Sequence, residues 1–227
     1  MKDNWHDEKF ATDWDQTSAL TNPNRVALLE LLVAIVADNY IEGKYILDLG
    51  CGSGLVEKQI IEKLPQAKFV GVDASEVMLE KAKERITKDQ LITIQHDLEK
   101  ITDLPIPAAE YQIAITSFAL HEISAASKKK IFQFIHSNLE KNGFYILVDR
   151  FKIDTQNLQM GYSSQWKNTV HPEWKQNIDF EEYTAKMSTK EDSPDTLEDQ
   201  LTWLRQIGFK AGCLQLQLDR ALIFAIK

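Results

Sequence analysis

Apolar positions in this chain alternate between short, almost continuous runs and stretches where they recur every three or four residues. The runs at 46–49, 69–72 and 144–148 read as strands buried on both faces, the pattern of a parallel sheet covered by helices. Two further strands are expected at 91–95 and 111–116. Between them, Val56, Ile60, Ile61 and Leu64 mark a helix stopped by Pro65, and Met78, Leu79, Ala82 and Ile86 mark one capped by Ser75. Upstream, Asn22-Pro23 reads as an N-cap and first helical residue for a helix through Val26, Leu28, Leu29, Leu32, Val33, Ile35 and Val36. Downstream, Ile131, Phe134, Ile135 and Leu139 form another helical stripe, with Gly143 as its expected C′ residue and the fifth strand starting at Phe144.

The rhythm breaks after Asp149. Residues 151–193 carry aromatics, glutamines and acids without a strand pattern, and such a length is unusual for a bare loop, so a mostly helical cap is expected there. Regularity returns with Leu197, Leu201, Leu204 and Ile207, ending at Gly208. Two closing strands follow at 213–218 and 221–226, with a hairpin turn at Asp219-Arg220. The expected organisation is an N-terminal helical lid and first helix (1–40), a nucleoside-binding core (41–150), a substrate cap (151–195), and a helix with a hairpin completing the core sheet (196–227).

The chemistry concentrates where the first strand ends, at Asp48-Leu49-Gly50-Cys51-Gly52-Ser53-Gly54. Glycines let a backbone approach a bulky ligand, and the following helix offers unpaired N–H groups. The second strand ends in Asp73, where a carboxylate can grip a ribose diol. Three nucleoside sites compete for this arrangement. A dinucleotide fingerprint needs a third glycine where Leu55 stands, although Asp73 would suit NAD equally well. A P-loop needs Gly-Lys-Ser/Thr after four spacers, and the first lysine here is Lys58. The third pattern, an acid followed by G-x-G-x-G, resembles motif I of the class I S-adenosylmethionine (SAM)-dependent methyltransferases. The closing hairpin points the same way, because a dinucleotide-binding sheet normally ends in a sixth parallel strand.

That resemblance covers residues 46–149 by motif and the remainder by strand order. It implies an α/β fold: a seven-stranded, mostly parallel sheet with helices on both faces and an antiparallel C-terminal hairpin. It also implies SAM as cofactor and methyl transfer to a small-molecule acceptor through an oxygen or nitrogen nucleophile. Asp48, Gly50, Cys51, Gly52 and Gly54 would wall the methionyl end, and Asp73 would hold the ribose. Ala74 and Met78 would lie against adenine, with Asp97 accepting its amino group and Leu98 adding a backbone contact. Arg25 would meet the cofactor carboxylate, and Ser117 would line the floor. His121, just beyond the fourth strand, is the candidate general base, ahead of Asp149, His171 and His6. Trp14, Tyr162 and Trp166 are the candidate acceptor contacts. The same features leave room for a tRNA-modifying SAM or carboxy-SAM enzyme, and for a SAM-binding protein without turnover.

Composition narrows the partners. The 227 residues carry a net charge of −8, with 44% hydrophobic and 26% charged residues. A nucleic-acid binder usually presents a basic stripe. The one basic cluster, Lys128-Lys129-Lys130, reads as a solvated helix face. No apolar run approaches the length of a membrane span, and the first eight residues lack the apolar core of a secretory leader. With Cys51 and Cys213 the only cysteines, a reducing cytoplasm without disulfide or zinc cluster is the expected setting, and oligomeric state is left open between monomer and homodimer. The glycine spacing makes a direct prediction. SAM or S-adenosylhomocysteine (SAH) should raise the melting temperature through ligand linkage, while NAD, NADP and ATP should not. Micromolar NAD binding without SAM binding, measured by calorimetry, would overturn the assignment.

Overall fold

The computed structural model describes residues 5–21, 25–107, 111–153, 155–169, 179–189 and 194–227. Seven strands form one sheet in the order β3-β2-β1-β4-β5-β7-β6. They are β1 (Tyr45–Leu49), β2 (Lys68–Asp73), β3 (Leu91–Gln95), β4 (Tyr111–Ser117), β5 (Leu139–Arg150), β6 (Lys210–Gln217) and β7 (Arg220–Ile226). The first five run parallel, whereas β7 is antiparallel to both β5 and β6. The strand order reverses between β1 and β4, which opens a crevice at their carboxyl ends where open α/β sheets bind ligands.

Helices cover both faces. Helices α2 (Arg25–Asn39), α3 (Leu55–Lys63) and α4 (Glu76–Arg85) pack on one side through Leu28, Leu32, Val56, Ile60, Ala82 and Ile86 against Ile46, Phe69, Ile113 and Ile146. On the other side, α5 (Ala125–Asn138) and α8 (Leu197–Ile207) cover Leu47, Val70, Ala114, Tyr145 and Ile223 through Ile131, Phe132, Ile135 and Leu204. A 3₁₀ turn, Leu98–Asp103, fills that face beside β3 in place of a long crossover helix. Between β5 and β6 lie α6 (Thr155–Thr169) and α7 (Phe180–Thr189), which meet through Trp166 and Phe180. An additional helix, α1 (Glu8–Thr21), precedes the sheet. No helix among the described residues is long and apolar enough to cross a membrane.

Several local expectations meet their physical causes here. Ser75 caps α4, its hydroxyl accepting from the Met78 N–H at 3.2 Å, and Gly208 closes α8 in the left-handed conformation. Three expectations change. Gly143 is not the C′ residue of α5: that helix stops at Asn138, and β5 begins at once with Leu139, so Gly143 lies within the strand. There a Cβ would meet the Gln112 and Glu140 carbonyl oxygens at 2.9 Å, so the glycine serves close strand packing. Asn142 takes the left-handed turn instead, at φ 66°. The hairpin turn sits one residue earlier, at Leu218-Asp219, with Leu218 at φ 56°. The basic cluster is not uniformly solvated. Lys128 is fully buried and bonds Asp195 at 2.6 Å, and Lys129 lies over the Trp203 ring at 4.6 Å. The expected cap at Asn22-Pro23 falls outside the described residues.

Phe132 makes the packing of α5 testable. It is fully buried with its ring 6.1 Å from that of Tyr145 on β5. Phe132→Ala should lower the unfolding free energy by about 3–5 kcal/mol, as large-to-small core changes do. Denaturant titration checks this, and a loss below about 1 kcal/mol would contradict such tight packing.

Candidate active site

The turn after β1 is a run of left-handed positions, with Gly50 at φ 82°, Gly52 at 55° and Gly54 at 75°. At Gly50 a Cβ would lie 2.4 Å from that of Ala119, so the turn admits no side chain there. Backbone N–H groups of Gly50 and Cys51 donate to the Val72 carbonyl at 2.7 and 3.0 Å, tying the turn to the end of β2. The next residue, Asp73, fixes the rest. Its Oδ2 accepts from the Gly52 N–H and its Oδ1 from the Ser75 N–H, both at 2.9 Å. Burial pushes the Asp73 carboxyl up, while these backbone donors and nearby His6 oppose the shift.

A cavity of about 660 Å³ opens above this turn. Gly50, Cys51, Gly52, Asp73, Ala74 and Met78 form one wall, and Asp97 with Leu98 forms the far end. Asp97 also caps the Leu98–Asp103 turn through the Glu99 N–H, at 2.9 Å. Ser117, Phe118, Ala119, Glu122 and Ile123, from the end of β4 onward, form the opposite wall.

The N-terminal segment supplies a third side. Trp5, His6 and Trp14 line the cavity, and the Trp5 ring meets Phe10 and Trp14 edge-on at 5.1 and 5.2 Å. Polar contacts anchor this strap at both ends. The Trp5 indole N–H donates to both Glu122 carboxylate oxygens at 3.0 and 3.1 Å, and the Ser75 hydroxyl donates to the Trp5 carbonyl. Further along, Asp15 bonds Arg85 at 2.7 Å and accepts from the Ser53 hydroxyl, within the glycine turn itself.

Arg25 sits at the base of the strap. It is 5% exposed, with its guanidinium 5.1 Å from the Trp14 ring centre and 4.8 Å from that of Phe118. Its Nη1 has no hydrogen-bond partner among the described residues. Burial lowers its pKa to about 10, against the opposing pull of Asp15. A buried cation left short of an acceptor beside a cavity suits a ligand carboxylate.

Beyond β4 stands a second arrangement. His121 Nδ1 lies 2.6 Å from Asp149 Oδ1, near the end of β5. Asp149 is fully buried and accepts the N–H groups of Leu120 and His121 through Oδ2 and that of Arg150 through Oδ1. A carboxylate so surrounded by donors holds the proton on Nδ1 and leaves the Nε2 lone pair available. Nε2 points toward Glu122, whose Oε1 is 4.0 Å away.

Of the expected site residues, Arg25, Gly50, Cys51, Gly52, Asp73, Ala74, Met78, Asp97, Leu98, Ser117 and Trp14 come together around the cavity. Gly54 stands just behind them as the N-cap of α3, and Asp48 is buried under the turn. His121 lies next to the wall rather than on it. Tyr162 and Trp166 do not join the lining among the described residues. Trp166 is buried against Phe180 instead, and its neighbour Gln165 accepts the Leu218 N–H at 3.3 Å, so this face of α6 docks the cap onto the sheet. His171 falls outside the described residues. Sequence reasoning passed over Glu57, Phe118 and Glu122. Glu57 had a legible signal, since it is an acid in step with the apolar stripe of α3 (Ile60, Ile61, Leu64).

The chain is similar to known methyltransferases in sequence and in fold. Residues 46–143 match the sequence model of the methyltransferase domain family. The malonyl-[acyl-carrier protein] O-methyltransferase of Halalkalibacterium halodurans is 26% identical over 220 residues, covering 89% of this chain and 80% of that protein. The carboxy-S-adenosyl-L-methionine synthase of Nitratiruptor sp. is 24% identical over 211 residues, covering 89% and 84%. Human N-acetylserotonin methyltransferase, solved with SAM, superposes with a TM-score of 0.63 at 16% identity. That match covers 98% of this chain but only 57% of the human one, so it speaks to the fold alone.

The Asp73 clamp yields the prediction for this site. Charge-assisted hydrogen bonds are worth about 1.5–3 kcal/mol each, so Asp73→Ala should weaken SAM binding at least tenfold. Calorimetric titration measures the loss, and circular dichroism shows whether the sheet persists. An unchanged dissociation constant in a folded variant would place the ribose elsewhere.

Proposed function

We propose that the chain is a class I SAM-dependent methyltransferase that methylates a hydroxyl group of a small, partly apolar acceptor. The observation that carries this reading is the His121–Asp149 pair at the carboxyl ends of β4 and β5, beside the cavity wall. A carboxylate acceptor needs no base, whereas a hydroxyl must lose its proton as its oxygen bonds carbon. When bound, the cofactor supplies a methyl group already activated on a sulfonium centre.

The chain's own residues then have three tasks. Asp73, the glycine turn and Asp97 hold the nucleoside, and Arg25 meets a carboxylate through its unsatisfied Nη1. The strap carrying Trp5 and Trp14 closes the cavity and excludes water, which fixes the reactants in line. His121 takes the acceptor proton at Nε2, and Asp149 orients the ring and stabilises the imidazolium that forms.

Arg25 also supports a second reading. A buried cation facing the cavity suits a cofactor bearing an added carboxylate, and a carboxy-SAM synthase is among the relatives spanning most of the chain. Mass spectrometry separates the two, because one yields a methylated acceptor with SAH and the other a cofactor heavier by one carboxyl group.

The base assignment is tested with radiolabelled SAM and the hydroxylated acceptor that a metabolite screen identifies. His121→Asn should lower kcat about 10²–10⁴-fold, the range of general acid–base catalysis. SAM affinity should stay within about threefold, since His121 is assigned to the acceptor and makes no assigned contact with the cofactor. Undiminished turnover would remove His121 from the mechanism.

A further inference from the structure

Behind the wall formed by the glycine turn, two carboxyl groups are enclosed together. Asp48 comes from β1 and is 1% exposed, and Glu57 comes from the first turn of α3 and is fully buried. None of their four oxygens has a hydrogen-bond partner among the described residues. They flank residues 50–56 in sequence, and Gly50, Cys51, Gly52, Ser53, Leu55 and Val56 from that stretch all face the cavity. The pair therefore sits directly beneath the surface that the family resemblance assigns to the methionyl end of the cofactor.

Four titratable groups face this pair among the described residues. The Cys51 thiol comes from the turn, Asp73 from β2, Arg85 from α4 and the buried Tyr145 phenol from β5. Arg85 is already engaged by Asp15 and the Ser53 carbonyl, so it does not serve as a dedicated counter-ion. Burial raises both carboxyls, Glu57 to about 7 and Asp48 well above the carboxylate range, and each adds to or answers the other's charge. Facing carboxyls can hydrogen-bond each other only if one of them keeps a proton. Losing it leaves two unpaired charges in a medium of low polarity.

We propose that Asp48 and Glu57 form a proton-exchanging pair that lets the enzyme distinguish SAM from SAH, releasing a proton when the cationic substrate form binds and regaining it once the neutral product form is left. This rests on the cofactor reading above, and it makes Glu57 a specificity-determining residue that touches neither reactant. The two ligands share adenine, ribose, ammonium and carboxylate, and they differ in the methyl-sulfonium charge. A positive charge in the same low-dielectric region favours the deprotonated pair. Contributions from Asp73, which meets the same ribose in both, cancel in the comparison. The sign follows directly. In the free protein the proton is held until the pH approaches 7, so SAM affinity rises with pH up to that point and levels off above it. SAH affinity lacks this rise, and methyl transfer itself restores the proton and loosens the product.

Isothermal titration of the full chain at pH 7, in two buffers of different ionisation enthalpy, counts the protons exchanged without needing the acceptor. SAM should release a measurable fraction of a proton more than SAH. Sinefungin, with a protonated amine in place of the sulfonium, should behave like SAM. Glu57→Gln should erase the difference and reduce the preference for SAM over SAH roughly three- to tenfold, since one pKa unit corresponds to tenfold. Equal proton release by SAM and SAH in the unaltered protein overturns the inference, whether or not the variant folds. So does a folded Glu57→Gln chain that retains the difference. If neither ligand binds, the cofactor reading fails and takes the inference with it, whereas binding of both with equal proton counts sinks the inference alone.

Discussion

The site depends on how the end of β2 pins the turn that leaves β1. Three consecutive N–H groups of that turn end on Val72 and Asp73, two on a backbone oxygen and one on a carboxylate. The left-handed glycines make this geometry possible, and the hydrogen bonds make it unique. The same aspartate receives the Ser75 N–H, so one side chain sets the glycine turn, the end of β2 and the start of α4 together. A ligand that uses this carboxylate competes for a group already organised by its own backbone, which spares much of the ordering cost that binding would otherwise incur.

Enclosure comes from outside that core. The matched domain spans residues 46–143, yet Trp5, His6, Trp14 and Arg25 form a full side of the cavity. The strap is anchored to three separate elements: Glu122 after β4, Ser75 ahead of α4, and the Ser53–Arg85 contact between the glycine turn and α4. Such partly exposed polar anchors are individually weak and can break one at a time. The large aromatic faces exclude water while the strap is seated. A cover held by such weak anchors suits a site that must exchange one cofactor for its demethylated product in every cycle.

How much of this was legible in the sequence follows from the range of the forces involved. The glycine turn, Asp73, the parallel strands and the closing hairpin were readable, because each depends on local backbone geometry or on the periodicity of buried positions. Where local signals competed, the reading slipped. Gly143 resembles a helix terminator, but the space it leaves is needed by the strand beside it. Lys128 looks solvated within a basic run, yet its partner Asp195 lies 67 residues away. Trp166 was a reasonable pocket aromatic by composition, and tertiary packing against Phe180 uses it instead. His121 was legible as a candidate from its place after the fourth strand. Its pairing with Asp149 required the register that brings β4 beside β5.

Electrostatics links these parts. The cavity is lined by Asp73, Asp97, Glu99 and Glu122, with Arg25 and Lys100 as its fixed cations. Behind it lie Asp48 and Glu57, enclosed without a dedicated cation. A site built only to hold adenosine would gain nothing from buried acids beneath the turn, since unpaired carboxyls cost stability wherever they are not needed. A site that must prefer a cation before reaction and reject its neutral remnant afterwards gains from them. The substrate brings the missing positive charge and methyl transfer takes it away. In these terms the unsatisfied oxygens under the turn belong to the binding cycle, and the cost they impose on the empty protein becomes a difference between the two ends of the reaction.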